Sequence, residues 1–382
     1  MLSKDPALSA TNASTQQSLY GWRDIDGGLV STWADNTGFS SVVGQRYERF
    51  IRPVQVAARG NFVFVVDAGT ERLYRYDLSR NELTVLLNLK KEMAGEASDL
   101  YVFPDHSFLL VDPDSASVLH YNHKGDRIRV FQDSLNLIRP VAVTYDDEMG
   151  RVLIADGSSD DVLVFSTTGQ LQGVIGTRGV EEGQFLNITA MTSGADGIYV
   201  TARLGHRLQL MGRDGSHLKS FQSDAVVFPL AVAVDRSGNT FVSDYLDNSI
   251  KVFQGELFLE SIAGSGITPG RFKRISDLWY DEGFLYAVDS LNGRIQVLRV
   301  EVIEPEIETF AEEEVAPTDV GDQAAAAEAL PLDVPSADEE LEAAQNELEE
   351  LEAELEAARL ELEAGQAEPA QVIDSPSSET QE

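Results

Sequence analysis

The 382 residues contain no cysteine, which removes disulfide bridges, thiolate nucleophiles and cysteine metal sites together. Stability must therefore come from a hydrophobic core. Histidine is scarce at five copies, too few for a histidine-rich metal centre to be an early expectation. No run approaches the ~20 apolar residues of a membrane helix, so no membrane span is expected. Basic charge is also short: 29 Lys and Arg stand against 64 Asp and Glu, for a formal net charge of -35. Affinity for phosphate backbones rests mainly on excess Lys and Arg, so no nucleic-acid partner is expected. The opening residues MLSKDPALSATNASTQQS hold no apolar stretch of about 7–15 residues such as a secretory leader carries. The expected location is the cytoplasm, or the bacterial periplasm or cell envelope if a leader has been removed.

Charge is unevenly spread. Glu301 to Glu382 holds 27 of the acidic residues and a single basic one, Arg359. The extreme acidity thus belongs to a tail, and the first 300 residues are only mildly acidic.

Six copies of one unit precede that tail. Each reads as an apolar strand, a turn with an aspartate and a second strand, as in GFLYAVDSLNGRIQVLRV from Gly283 to Val300. The turn positions are Asp67, Asp112, Asp156, Ala202, Asp244 and Asp289, at steps of 45, 44, 46, 42 and 45 residues. A further strand precedes each unit, often beginning at an X-Pro step such as Arg52-Pro53, Arg139-Pro140 or Phe228-Pro229, where proline suits a strand start. An outer strand follows. In the third copy the four strands are expected near 140–145, 151–155, 161–165 and 170–175. Four short strands per period describe a propeller blade, so the fold class is all-β, a six-bladed β-propeller over 28–300. One blade cannot bury both its faces, so the blades must pack in a ring. The sixth copy stops at its third strand, and an orphan strand, Gly28 to Trp33, precedes the first. The expectation is that this N-terminal strand closes the ring as the outer strand of the sixth blade, with 1–27 a flexible N-terminal segment.

Beyond Val300 the composition changes. Residues 301–335 are rich in Ala, Pro and Glu with few large apolar side chains, the signature of a disordered acidic linker. Residues 336–365 read as a C-terminal α-helix, opened by a Ser336/Glu339 capping box and stopped at Gly365. Leu341, Leu348, Leu355 and Leu362 fall seven apart, with Leu351 on the companion seam, a coiled-coil pattern. Glutamates crowd the flanks of that seam, so self-association is disfavoured at neutral pH and a basic partner would suit the arm. Residues 366–382 return to a disordered composition.

The repeat resembles the NHL-repeat family of six-bladed propellers. The matching residues are Asp289-Ser-Leu-Asn-Gly-Arg294-Ile-Gln-Val, Asp244-Tyr-Leu-Asp-Asn248-Ser-Ile-Lys-Val-Phe253 and Asp67-Ala-Gly-Thr-Glu-Arg72-Leu, with the linkers GVEEGQF and GITPGRF. The resemblance spans Gly28 to Val300. Two departures are Ala202 at one turn and inner strands without the family's Pro-x-Gly opening. The resemblance implies a propeller scaffold and no particular activity. Some such propellers bind RNA on a basic face, and relatives by fold include lactonases and lyases with a divalent metal in the channel.

Candidate sites follow from where the repeat puts side chains. The turn aspartates are expected to accept backbone N–H groups rather than bind metal, and His120 and His123 to be solvated turn residues. The channel mouth carries more promise. Alignment places Arg52, Arg139 and Arg274 just before inner strands. Gln55, Asp99 and Asp277 fall at equivalent inner-strand positions, with Ala142, Ala190 and Ala231 at the others. Arg52, Gln55, Asp99 and Asp277 come from adjacent blades, so the cluster would either bind a polar ligand or a peptide terminus, or seal the channel by ion pairing. The expected function is a non-enzymatic protein-interaction or scaffold module. It would bind a protein or peptide through the loop face and channel mouth, with the acidic arm for a second contact and no cofactor. The alternative is a metal-dependent, lactonase-like hydrolase or lyase with its site in the channel.

Overall fold

The computed structural model describes residues 19–34, 41–221 and 223–300. The linker, leucine-heptad helix and tail expected over 301–382 lie outside these, as do residues 1–18.

The described chain is a six-bladed β-propeller with almost no helix, one short α-helix at Leu89–Glu92 and two 3-10 turns at Ser223–Ala225 and Ser290–Asn292. Blade 1 is built from Pro53–Arg59, Phe62–Asp67, Arg72–Asp77 and Glu82–Asn88, from the channel outward. Blade 3 repeats the scheme with Pro140–Asp146, Arg151–Asp156, Asp161–Ser166 and Leu171–Ile175, within a residue of the boundaries expected from sequence. The inner strands of blades 2, 4, 5 and 6 are Leu100–Val102, Gln184–Gly194, Pro229–Val234 and Ile275–Asp281. The four strands that make up each blade run antiparallel to their neighbours, and the added strands Gly27–Ala34 on blade 1 and Thr177–Arg178 on blade 4 join in parallel.

The burial of each strand explains its composition. Second strands such as Phe108–Asp112 and Asn239–Asp244 are buried along their whole length, because adjoining blades cover both their faces. They therefore read as continuous apolar runs, whereas the outer strand Arg127–Phe131 is largely exposed and carries two arginines. The core is not central but divided among the blade interfaces. Among the described residues one apolar cluster fills each interface: Phe64 and Leu73 meet Phe108 and Tyr121 between blades 1 and 2, for example, and Val63 and Tyr74 meet Tyr286 and Val297 between blades 1 and 6.

Ring closure departs from the sequence expectation. An N-terminal strand does complete blade 6, but it is Leu19–Ile25, paired antiparallel with Arg294–Val300 from Leu19 opposite Val300 to Ile25 opposite Ile295. The expected strand lies elsewhere. Gly27–Ala34 forms a hairpin with Ser41–Arg49 and adds to the outer edge of blade 1, bridging to Glu82 through Leu29. The lead-in read as flexible to residue 27 therefore contains the closing strand. A Cβ on Gly27 would lie 2.1 Å from the Glu48 carbonyl oxygen, so glycine is what lets the chain pass directly from closing strand to hairpin. Arg294 ties the closure electrostatically, with Nη1 2.9 Å from Asp24 and Nε 2.8 Å from Asp289. Ile25, 2% exposed, anchors it in the core between blades 6 and 1. Ile25→Ala should cost about 2–5 kcal/mol of stability, the range for deleting a buried Ile side chain, measured by urea unfolding of the full chain. A cost under about 0.5 kcal/mol, the surface-substitution range, would contradict this closing role.

Candidate functional site

Five of the six inner strands enter the channel through the same local device. Register shifts interrupt the pairing of inner and second strands between Pro53 and Gln55, Pro140 and Ala142, Ile188 and Ala190, Pro229 and Val232, and Ile275 and Leu278. Such irregularities re-aim side chains and leave backbone N–H groups without ladder partners. Gln55, Ala142, Ala190, Ala231 and Asp277 lie at these irregularities, and Asp99, whose carbonyl accepts from Val111 N, takes the equivalent position in blade 2.

The two carboxylates among these residues satisfy the freed donors of neighbouring blades. Asp277 accepts from Val56 N at 2.8 Å and from Leu278 N at 2.8 Å. Asp99 accepts from Val143 N at 2.7 Å and Leu100 N at 2.8 Å. Gln55 donates from Nε2 to the Ser98 carbonyl at 2.6 Å. Asp277 therefore bridges blade 6 to blade 1, and Asp99 bridges blade 2 to blade 3. Desolvation pushes the Asp99 carboxyl up to about 7 against the pull of its two N–H bonds. Asp277 is raised well above the ordinary carboxylate range by desolvation and by repulsion from Asp99.

Asp99 and Asp277 form a waist between two cavities. The upper, of about 370 Å³, opens where the turns between second and third strands emerge. The lower, of about 390 Å³, opens at the other end. Five of the six channel-mouth residues expected from sequence line the upper cavity: Arg52, Gln55, Asp99, Arg274 and Asp277. Arg139 does not line it; its side chain is exposed outside. The acids and arginines do not pair with each other. Arg52 instead makes a bidentate pair with Glu96, at 3.0 and 2.8 Å, a partner not expected from sequence.

Arg203, also missed, completes the upper mouth. Its guanidinium lies 4.6 Å over the Phe228 ring, Phe228 meets Tyr245 at 5.5 Å, and Arg274 lies 5.9 Å from the Tyr245 centroid. The four side chains form a ladder across blades 4, 5 and 6. Neither Arg203 nor Arg274 has a carboxylate partner among the described residues. The available signal was position: Arg203 follows Ala202, where the repeat loses its aspartate.

The turn aspartates serve the backbone. Asp67, for example, is fully buried and accepts from the N–H groups of Ile51, Arg52 and Gly69. In blade 4, where Ala202 replaces the aspartate, Gln209 holds the incoming loop by accepting from Gly183 N and donating to the Gln184 carbonyl, both at 2.8 Å. Gln296 grips Gly270 N and the Arg271 carbonyl in the same way in blade 6. The expectation of solvated histidines fails for His120, which packs 5.3 Å from Phe103 and stands 3.4 Å from the Ser107 hydroxyl. No group of three or more His, Cys, Asp or Glu side chains placed to hold a metal occurs among the described residues.

No family model and no curated protein matches the chain. Solved structures share its fold. A structural genomics protein of unknown function from Bacteroides thetaiotaomicron is 15% identical, with a TM-score of 0.53 over 73% of this chain and 77% of that one. A catalytically inactive virginiamycin B lyase from Staphylococcus aureus with quinupristin is 10% identical, with a TM-score of 0.50 over 74% of this chain and 99% of the lyase. At such identity the likeness concerns the six-bladed propeller fold alone.

The waist pair makes stability pH-dependent. Both folded-state pKa values are raised above the ordinary 3.8, so above about pH 4 the native state keeps protons that the unfolded chain has released, up to about pH 7 for Asp99. Their stabilising contribution is fully present below about pH 4 and is lost as pH rises through the folded-state values, about 7 for Asp99. D99N/D277N should flatten that loss, measured as a smaller difference in urea midpoint between pH 5 and pH 8 than in the unsubstituted chain. An unchanged difference would remove the linkage.

Proposed function

We propose that this protein is a non-enzymatic interaction module that takes an acidic peptide segment or a peptide C-terminus at the upper mouth of its propeller. The observation that carries this reading is the pair Arg203 and Arg274, without carboxylate partners among the described residues and held against aromatic rings beside a cavity. Guanidinium groups match carboxylates through paired N–H bonds, and stacking on a ring reduces the rotamer freedom lost on binding.

The surroundings suit a peptide rather than a small anion. Large apolar side chains are exposed on the loops of the same end, including Ile51, Leu246 and Ile267, each about two-thirds exposed, and Leu135 at 85%. An apolar rim beside charge-recognising anchors is the composition of a protein-contact surface. In the same reading the seam of Leu341, Leu348, Leu351, Leu355 and Leu362 offers a second contact, to a basic partner.

The test is fluorescence anisotropy with a labelled acidic peptide carrying a free C-terminal carboxylate, against its amidated, uncharged counterpart. The free acid should bind more tightly, and R203A/R274A should weaken it about tenfold or more, the scale of one charge-assisted hydrogen bond. Equal affinity for the two peptides, or for the two proteins, would refute the assignment.

A further inference from the structure

The lower mouth has the opposite chemistry. Its cavity of about 390 Å³ is lined by Tyr101, Tyr145 and Trp279, with Asp147 and Glu282 at the rim and the waist carboxylates at its floor. Tyr101 and Trp279 meet edge to face at 5.5 Å, and Tyr145 stands 6.4 Å from Tyr101. The electron-rich faces of such rings attract cations, the more so where water is excluded. The protein already uses that attraction: the Arg59 guanidinium lies 5.3 Å from the Trp279 centroid and 5.9 Å from that of Tyr101.

Arg59 does not exhaust the site. It is held at the wall by Asp281 at 3.5 Å and by donation to the Val102 carbonyl at 3.0 Å. Of the two other arginines lining the cavity, Arg213 is engaged by Asp146 and Glu148 at 3.1 and 3.2 Å, while Arg236 is exposed and has Asp235, Asp147, Glu148, Asp281 and Glu282 as fellow lining carboxylates. Asp147 and Glu282 are exposed and form no ion pair among the described residues. Tyr101 lines the cavity while more than nine-tenths buried, and its hydroxyl has a single long bond of 3.5 Å, from Arg59. Each floor carboxylate gives two acceptor sites to backbone N–H groups, about half of what a carboxylate offers.

We propose that the lower mouth binds an organic cation, an ammonium or guanidinium group carried by a polyamine or by a lysine- or arginine-rich peptide, between the aromatic walls and the carboxylates of Asp147 and Glu282. The site shares the waist residues Asp99, Ala190 and Asp277 with the upper cavity but does not involve Arg203 or Arg274.

The acidic tail would bind any polycation loosely, so the readout must be local. The indole N–H of Trp279 donates to the Ala58 carbonyl at 2.9 Å, and its resonance in the full chain labelled with ¹⁵N-tryptophan, assigned with Trp279→Phe, reports on the cavity wall. Titration with spermidine, or with a blocked hexalysine peptide, should move this resonance along a saturating curve. D147N/E282Q should shift the midpoint about tenfold or more, since two exposed carboxylates are removed with no core contact, whereas R203A/R274A should leave it in place. A response to spermidine alone identifies a free polyamine; a response to the peptide identifies a protein partner. A resonance that neither cation moves, or a midpoint unchanged in D147N/E282Q, overturns the proposal.

Discussion

Everything in this structure depends on each blade being covered on both faces by its neighbours. The second and third strands carry apolar residues toward both sides, so an isolated blade would leave an apolar face in water. Only a closed ring removes that cost. Closure therefore governs stability, and the chain secures it by sending its first described strand to the last blade, with Ile25 in the interface core and Arg294 linking Asp24 to Asp289.

The same packing sets the character of the channel. Inner strands converge at the axis, and local irregularities there release backbone donors that need partners. Asp99 and Asp277 supply them across blade boundaries. This is why the waist acids are not neutralised by the arginines of the mouth: their oxygens face backbone N–H groups, and burial holds back their ionisation. Above the waist lie two arginines seated on aromatic rings, and below it aromatic walls with unpaired carboxylates. One scaffold thus presents two mouths of different lining, built from loops that differ from copy to copy while the strands between them repeat.

Much of this was legible in the residues. The period near 45, the X-Pro starts and the continuous apolar second strands led to six blades and to the strand boundaries of blade 3. Alignment on the turns also placed Gln55, Asp99 and Asp277 at one level. The closing strand was misread because LYGWRDI, as an edge strand, breaks its apolar pattern with glycine and charge, while GLVSTW looks more strand-like and serves only as part of an added hairpin. Arg139 was aligned correctly by sequence position, yet its side chain lies outside the cavity. Arg203 went unseen because nothing local distinguishes it from any loop arginine.

The sequence by itself determined the number of blades, the order of the strands that each repeat supplies and the inner-strand positions that face the channel, because these follow from periodicity along one chain. The tertiary structure decided which strand closes the ring, which acids meet backbone rather than guanidinium, and which arginines remain open on aromatic supports. Those outcomes rest on distances between groups far apart in sequence, such as Val56 and Asp277 or Arg203 and Phe228, and on competition among partners that no linear spacing encodes.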